Sequence, residues 1–380
     1  MRIAVFDYRV IATNPVGSCH LRLLQGLCQR HDFTVFAVEF ENPCPQRIRW
    51  VRIPLPVRPY VLLYALYHIV APLVYAWQWM IRGARYDLVQ IVESNLLIGD
   101  VSYSHFCHRR YLDQHWSETP NPGLRGFARG LAHRAAALLE PWVYRRVDRL
   151  VVPSRGLSAE LAETYPKQRS KLYLLPNPVD IERLRPPDPA TRAELRARLG
   201  IGPDETALLF VALGHFERKG LPLILESLRL LADPRIRLMV VGGQPGLIAE
   251  YRRRVEEMRL ESHVNFEGMQ TDLGRYYWSA DAFIFPSCYE VFPLVALEAA
   301  AAGLPLLATR VNGVAEMLDD SDSGLVVERT VESVSQGIRR WLTLTGAERR
   351  AMSRRAREIA EQYSVENFVA AWRRFYELLA

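Results

Sequence analysis

Lysine is nearly missing from this chain: only Lys167, Lys171 and Lys219 stand among its 48 cations, and the rest are arginine. Chemistry that needs a Schiff-base lysine, such as pyridoxal phosphate held on an ε-amine, therefore has few candidates. Cysteine is scarce too. Cys19, Cys28, Cys44, Cys107 and Cys288 make an odd number with no CxxC spacing, which argues against a disulfide framework or zinc site and fits a reducing compartment. The opening MRIAVFDYRV lacks the basic start, apolar stretch and small-residue cleavage site of a signal peptide and reads as a buried strand. The expected location is the cytoplasm, extending to peripheral contact with the inner face of the membrane. No basic stripe interleaved with aromatic platforms forms a recognisable motif, so nucleic acid is not an expected partner.

What is present is the composition of a globular protein, with 49% hydrophobic and 24% charged residues, and 380 residues suit two domains. The first half carries the basic surplus: residues 1–190 hold 24 Lys+Arg against 16 Asp+Glu, residues 191–380 hold 24 against 26. Such a surplus either suits an anionic partner (lipid, phosphorylated acceptor or nucleic acid) or is a solvated, arginine-rich surface. Short apolar runs alternate with helical spacing in both halves. RIAVFDY, FTVFAVEF, YDLVQIVE, GDVSYSHF and DRLVVPS read as strands in the first, and ALLFVALG, IRLMVVGG, VNFEGM, AFIFPS, LPLLATR and GLVVE in the second. This is the α/β pattern of two doubly wound parallel sheets, whose ligands bind at the carboxyl ends of the strands, with a central cleft as the natural active site. The five prolines of LLPNPVDIERLRPPDP mark the boundary. We expect an acceptor-binding domain over 1–176, a donor-binding domain over 177–363, and an amphipathic helix over 364–380 that packs back toward the first domain.

Residues 60–80 run 21 positions without a formal charge, a length that could span a bilayer. His68, Pro72, Gln78 and the aromatics favour two other readings: packing against the first sheet, or a helix lying on a membrane surface.

Three glycine-bearing turns follow strands and precede helices. NPVGSCHLRLL places Gly17 where helix N–H groups could meet a phosphate, or where a simple turn suffices. ALLFVALGHFERKG ends a strand at Gly214 and presents Arg218 and Lys219, the only lysine of the second half, where two cations could clamp a diphosphate. AFIFPSCYEVFPLVALEAAAAGLP carries Glu290 in its turn and Glu298 in the following helix, with Pro293 expected at the first helical position and Gly303 as the residue after the helix. A carboxylate among Ala, Leu and Val is costly unless donors meet it. Sugar and ribose hydroxyls are such donors, and an ion pair with a neighbouring helix is the alternative.

The run E-x7-E into EAAAAGLP, then A-T-x-x-N-G-V-x-E and S-G-L-V-V, resembles the retaining glycosyltransferases of family 4, which have the GT-B fold. G-x-x-x-R-K-G upstream and L-P-N-P-V-D at 175–180 match that family as well. The resemblance is strong over 150–330 and loose before, and the layout is similar to lipopolysaccharide-core and other cell-envelope enzymes. It implies that Glu290 contacts the donor sugar near the reacting carbon, Glu298 the ribose, and Lys219 with Arg218 the diphosphate. Phe292 and Leu294 then lie on the turn whose amides approach the phosphates, and Gly17 on the loop that closes over them. His105 or His108 reaches the donor sugar. The chain departs from the pattern at His215, which stands where the family often has arginine, at Pro293, which replaces a glycine, and in the single glycine of the first loop.

The activity so implied is sugar transfer from a nucleoside diphosphate sugar to a glycan or lipid-linked hydroxyl with retained configuration. It proceeds by front-face attack and needs no enzymatic nucleophile and no cofactor. DDSDSG at 319–324 reads as a solvated loop, so no metal is expected. The competing readings are a nucleotide-sugar epimerase or phosphorylase of related fold, and a non-enzymatic membrane- or nucleic-acid-binding protein.

Overall fold

A computed structural model describes the whole chain except residues 119–122 and 319–321. It divides into two compact units, residues 1–178 with 365–380, and residues 179–364.

In the first unit seven strands form one parallel sheet: β1 Arg2–Phe6, β2 Asp32–Ala37, β3 Arg49–Arg52, β4 Leu88–Val92, β5 Val101–Tyr103, β6 Arg149–Val152 and β7 Leu172–Leu174. Their order is β3-β2-β1-β4-β5-β6-β7, so the winding reverses between β1 and β4. The inner strands are buried nearly throughout, as a sheet covered on both faces requires. The edge strand β3, RWVR, buries only Val51. Helix α1, Pro15–Leu27, follows β1, with Asn14 as its N-cap.

Helix α2, Tyr60–Arg82, is long and apolar enough to cross a membrane. One face of it belongs to the fold, however. Tyr67 is fully buried and donates to the Phe36 carbonyl at 2.8 Å, and the Gln78 amide oxygen accepts from Arg49 at 2.6 Å. Tyr75 stacks on Tyr86 and meets Phe6 and Phe36 edge-on, so it faces the sheet as well. Helix α3, His108–Gln114, and the long α4, Gly123–Arg146, come next, and α4 lies against both α2 and α3. Lys171 closes the carboxyl end of α4, donating to the carbonyls of Tyr144, Arg145 and Val147, where a cation suits the helix dipole.

The C-terminal helix Val365–Glu377 is part of this unit. Trp372, Phe375 and Tyr376 are buried. The Tyr376 hydroxyl donates to Gln90 at 2.7 Å, the Gln90 amide meets His20 at 3.0 Å, and His20 meets Asp7 at 2.8 Å. This chain of bonds ties the last helix to the centre of the sheet.

The second unit holds six parallel strands: β8 Thr206–Val211, β9 Ile236–Val241, β10 Val264–Gly268, β11 Ala282–Phe285, β12 Leu306–Ala308 and β13 Gly324–Val326, in the order β10-β9-β8-β11-β12-β13. All six residues of β8 are buried. The winding reverses between β8 and β11, and it is beside the carboxyl ends of those two strands that a ligand crevice forms in such sheets.

Candidate active site

A charged constellation of the second unit stands at that reversal. After β8 the chain turns through His215, whose backbone is left-handed, into the one-turn helix Phe216–Lys219. Gly220 ends the turn with φ +85°, and a Cβ there would stand 2.3 Å from the Pro286 carbonyl oxygen. Only glycine lets the RKG turn sit this close to the end of β11. The approach brings Lys219 Nζ to 2.7 Å from Glu290 Oε1, with Arg218 3.5 Å from the same oxygen and the Ser287 hydroxyl donating to it at 2.9 Å. Arg218 also donates to the Tyr289 carbonyl, and the Lys219 ammonium lies 4.8 Å over the Phe285 ring.

Burial pushes the Glu290 carboxyl up, but Lys219 and Arg218 outweigh it and hold it below the usual carboxylate range. Burial lowers the Lys219 ammonium against the pull of Glu290, and Arg218 adds repulsion. Two cations thus share one carboxylate in a poorly solvated place, which leaves an excess positive charge for an anion.

Phe292 is buried and packs on Tyr363 with centroids 5.5 Å apart. Leu294 opens the helix Leu294–Ala301, and Pro293 is its N-cap rather than its first helical residue. The missing N–H of Pro293 is therefore lost just outside the helix. Gly303, at φ +76°, follows the helix end. Glu298 accepts from the Tyr277 hydroxyl at 2.9 Å. Burial raises its carboxyl, with Tyr277 and the more distant Arg183 pulling the other way. Gly214 sits in the open loop after β8.

In the first unit the histidines of SYSHFCH separate into two environments. The His105 Nε2–H donates to Asn177 Oδ1 at 3.1 Å, which also accepts from Tyr103 at 2.9 Å. Its other nitrogen, Nδ1, is buried without a partner. Burial holds this ring at a pKa of about 4 against the Asn177 bond, so at neutral pH His105 is uncharged and presents a lone pair. His108 is engaged on both nitrogens, with Glu93 at 3.2 Å and His133 at 2.9 Å. Burial opposes its protonation, but Glu93 and Glu140 raise it above the ordinary histidine value.

Glu93 follows β4 with a left-handed backbone, φ +50°. Burial works against its charge, but the His108 bond and the neighbouring histidines hold it below the carboxylate range. Fully buried Glu140 of α4 accepts from the amides of His108 and Arg109 at 2.6 and 3.2 Å and from Tyr165 at 2.6 Å. It caps α3, whose own N-cap residue supplies no side-chain bond. Glu93, His133, Glu140 and Asn177 were not among the sequence candidates; of these only Asn177 lies in a motif that had been singled out, LPNPVD.

Gly17 lies in the first turn of α1 and its amide donates to Asn14 Oδ1 at 2.9 Å. A Cβ on it would stand 2.2 Å from the Arg9 carbonyl oxygen, so close packing alone demands glycine there. Among the described residues no group of three or more His, Cys, Asp or Glu is placed to hold a metal ion, and residues 319–321 of DDSDSG lie outside the described residues.

Two parallel, doubly wound α/β units are what the GT-B fold is built from, and comparison with known proteins shows that fold. Residues 16–183 match Glycosyltransferase Family 4 and residues 191–359 match Glycosyl transferases group 1. The chain belongs to these glycosyltransferases. It is 33% identical over 261 residues to the D-inositol 3-phosphate glycosyltransferase of Geodermatophilus obscurus, an alignment that covers 63% of this chain and 55% of that protein. For the enzyme of the same name from Saccharomonospora viridis the figures are 33%, 65% and 57%. The chain thus spans about half the length of the curated relatives it matches. Among solved structures, WaaG, a glycosyltransferase involved in lipopolysaccharide biosynthesis, superimposes with a TM-score of 0.77 at 21% identity, covering 97% of this chain and 98% of that one. Anabaena Alr3699/HepE in complex with UDP-glucose gives 0.75 at 16%, covering 99% of each.

Proposed function

We propose that this chain transfers a sugar from a nucleoside diphosphate sugar to an acceptor hydroxyl with retained configuration, in the synthesis of an envelope glycan or glycolipid. The observation that carries the reading is the Lys219–Glu290–Arg218 cluster at the carboxyl ends of β8 and β11. Charge grows on the departing diphosphate as the glycosidic bond to it breaks, and preorganised cations in a poorly hydrated place stabilise that charge. Lys219 and Arg218 take this role, with the amides around Phe292 and Leu294 beside them. Glu290 keeps the two cations in place and meets the sugar hydroxyls. Glu298 accepts from the ribose.

On the first unit, His105 rather than His108 faces the donor sugar, because its Nδ1 is unpartnered whereas both nitrogens of His108 are engaged. A neutral acceptor nitrogen suits a sugar hydroxyl. No step calls on a resident cofactor or a metal ion.

The basic first half supports an anionic acceptor. A phosphorylated polyol is a second reading of that acceptor, favoured by the activity in the names of the 33%-identical relatives.

The test is a thermal-shift panel of UDP, GDP, ADP and their sugars, followed by assay of nucleotide release with and without acceptor. Ligand at ~100 Kd adds roughly 2.7 kcal/mol to the stability of the form that binds it. One base should stabilise the protein, and its sugar should release diphosphate only when an acceptor is present. Conversion of the nucleotide sugar to its epimer without net release of diphosphate would instead support the epimerase reading, and no shift with any nucleotide would sink the transferase reading.

A further inference from the structure

Helices α2 and α4 lie against each other in the first unit, and each turns an apolar stripe to solvent. On α2 the stripe is Leu62, Ile69, Leu73, Trp77 and Met80, with Leu73 64% exposed. These positions recur every three to four residues, on the opposite side from Leu63, Tyr67, Ala71 and Gln78, which are buried. On α4 the stripe is Leu124, Phe127, Leu131, Leu138 and Trp142, with Phe127 68% exposed, while Ala132, Ala136, Glu140 and Val143 face inward. Among the described residues, 12 of the 21 large apolar side chains that are exposed belong to these two helices. Scattered exposed apolar residues need no explanation, but two stripes on adjoining helices mark an interaction surface.

The charges on the surface identify its occupant. The only carboxylate on either helix is Glu140, and it is buried under α3. The cations are outside. Arg134 and Arg145 alternate with Leu131, Leu138 and Trp142 on the outer side of α4, and Arg82 ends α2. Arg85 lies 4.6 Å over the Trp79 ring and Arg145 4.8 Å over the Trp142 ring. Tryptophan paired with arginine at the margin of an apolar face, with no exposed anion among them, complements a layer that is apolar inside and negative at its surface.

We propose that the α2–α4 face docks on a bilayer containing anionic lipids, with both helices lying in the plane of the interface. A span by α2 does not fit, because crossing the bilayer would strip Tyr67 and Gln78 of their bonds to Phe36 and Arg49. This surface stands independently of the donor site and so can fail or hold without it.

The full chain is to be co-sedimented with vesicles of phosphatidylcholine alone and of phosphatidylcholine mixed with phosphatidylglycerol. Wild type should bind the mixed vesicles, bind the neutral ones far less, and be released by salt. The joint replacement Leu73→Ser, Trp77→Ser, Phe127→Ser and Trp142→Ser should abolish binding. All four side chains point to solvent, so circular dichroism and the stabilisation by nucleotide should be unchanged. Replacing Arg85, Arg134 and Arg145 together by Gln should weaken binding to mixed vesicles on the order of a hundredfold. Failure of wild type to bind, or equal binding by the serine variant, would overturn the proposal. So would a wild-type dimer, in the absence of lipid, that the serine variant splits into monomers, since the face would then serve a second copy of the chain.

Discussion

The two units solve the same electrostatic problem in opposite ways. At the strand reversal of the second unit, two cations crowd one carboxylate, and the leftover charge is positive. Near the reversal of the first, between β1 and β4, the ionisable groups are tied up in hydrogen bonds to one another or held neutral: Glu93 binds His108, Asp7 binds His20, and His105 is uncharged. One place is suited to an anion and the other to hydroxyl groups. That division matches a reaction in which a diphosphate departs and an alcohol attacks. It also predicts that charge removal in the second unit hurts catalysis, whereas removal of a neutral group in the first costs only a hydrogen bond.

The largest effect should come from Lys219→Ala. By comparison with the loss of a single oxyanion-hole donor, it should lower kcat about 10²–10³-fold. His105→Ala deletes one neutral acceptor worth about 1 kcal/mol, and so should cost about fivefold. Steady-state rates of both variants with saturating donor would test the contrast. Equal losses would break it, because the first unit would then be carrying charge in the transition state too.

The sequence shows why the second unit was the easier to read. Its site residues come from two contiguous stretches, 214–220 and 285–303, each attached to a strongly apolar strand. All eleven strands expected from apolar runs are present in the two sheets. The two that gave no signal, Arg49–Arg52 and Leu172–Leu174, are the two edges of the first sheet, where one side of a strand has no partner and need not be apolar. The histidine cluster could not be read this way. Its members sit at 93, 105, 108, 133, 140 and 177, and only folding brings them together. Glu140 lies in the run AAALLEPWVY, where a buried carboxylate leaves no sequence signal beyond being out of place. Tyr75 shows the reverse case. In a charge-free helix it is indistinguishable from Trp77, but it packs on the sheet whereas Trp77 is exposed.

Glu140 gives the next effect in size. In Glu140→Ala the amides of His108 and Arg109 and the Tyr165 hydroxyl lose their acceptor. An orphaned buried donor costs about 1–3 kcal/mol, and with some entry of water the total should be about 3 kcal/mol. Glu298→Ala in the second unit leaves the Tyr277 hydroxyl its longer bond to the Val295 carbonyl, at 3.3 Å, and should cost about 1 kcal/mol or less. Denaturant unfolding of the two variants should separate them by about 2 kcal/mol. A smaller gap would mean that α3 is capped by solvent as well as by Glu140.

The smallest expected effect has a distinctive dependence on pH. Burial raises the Glu298 carboxyl, so it takes up a proton at higher pH than an exposed glutamate, ordinarily about 4.3. In the proposed ribose contact, hydroxyls donate to the ionised form, and a proton competes with them. Nucleotide affinity is therefore full above the raised pKa and declines as pH falls through it. Glu290 does not confuse this limb, because its neighbours hold it ionised to lower pH. Lys219 acts at the other end: its depressed pKa means the diphosphate loses a cation as pH rises, earlier than for an exposed lysine. Calorimetric titration of the nucleotide sugar, whose diphosphate is esterified at both ends and lacks the terminal-phosphate ionisation at about pH 6, should give a bell across pH. Glu298→Gln should flatten only the acid limb and lower the plateau affinity by about tenfold, one or two hydrogen bonds to a charged acceptor being replaced by neutral ones. If the acid limb survives in Glu298→Gln, then Glu298 is not the ribose acceptor, and the bond from Tyr277 is its whole role.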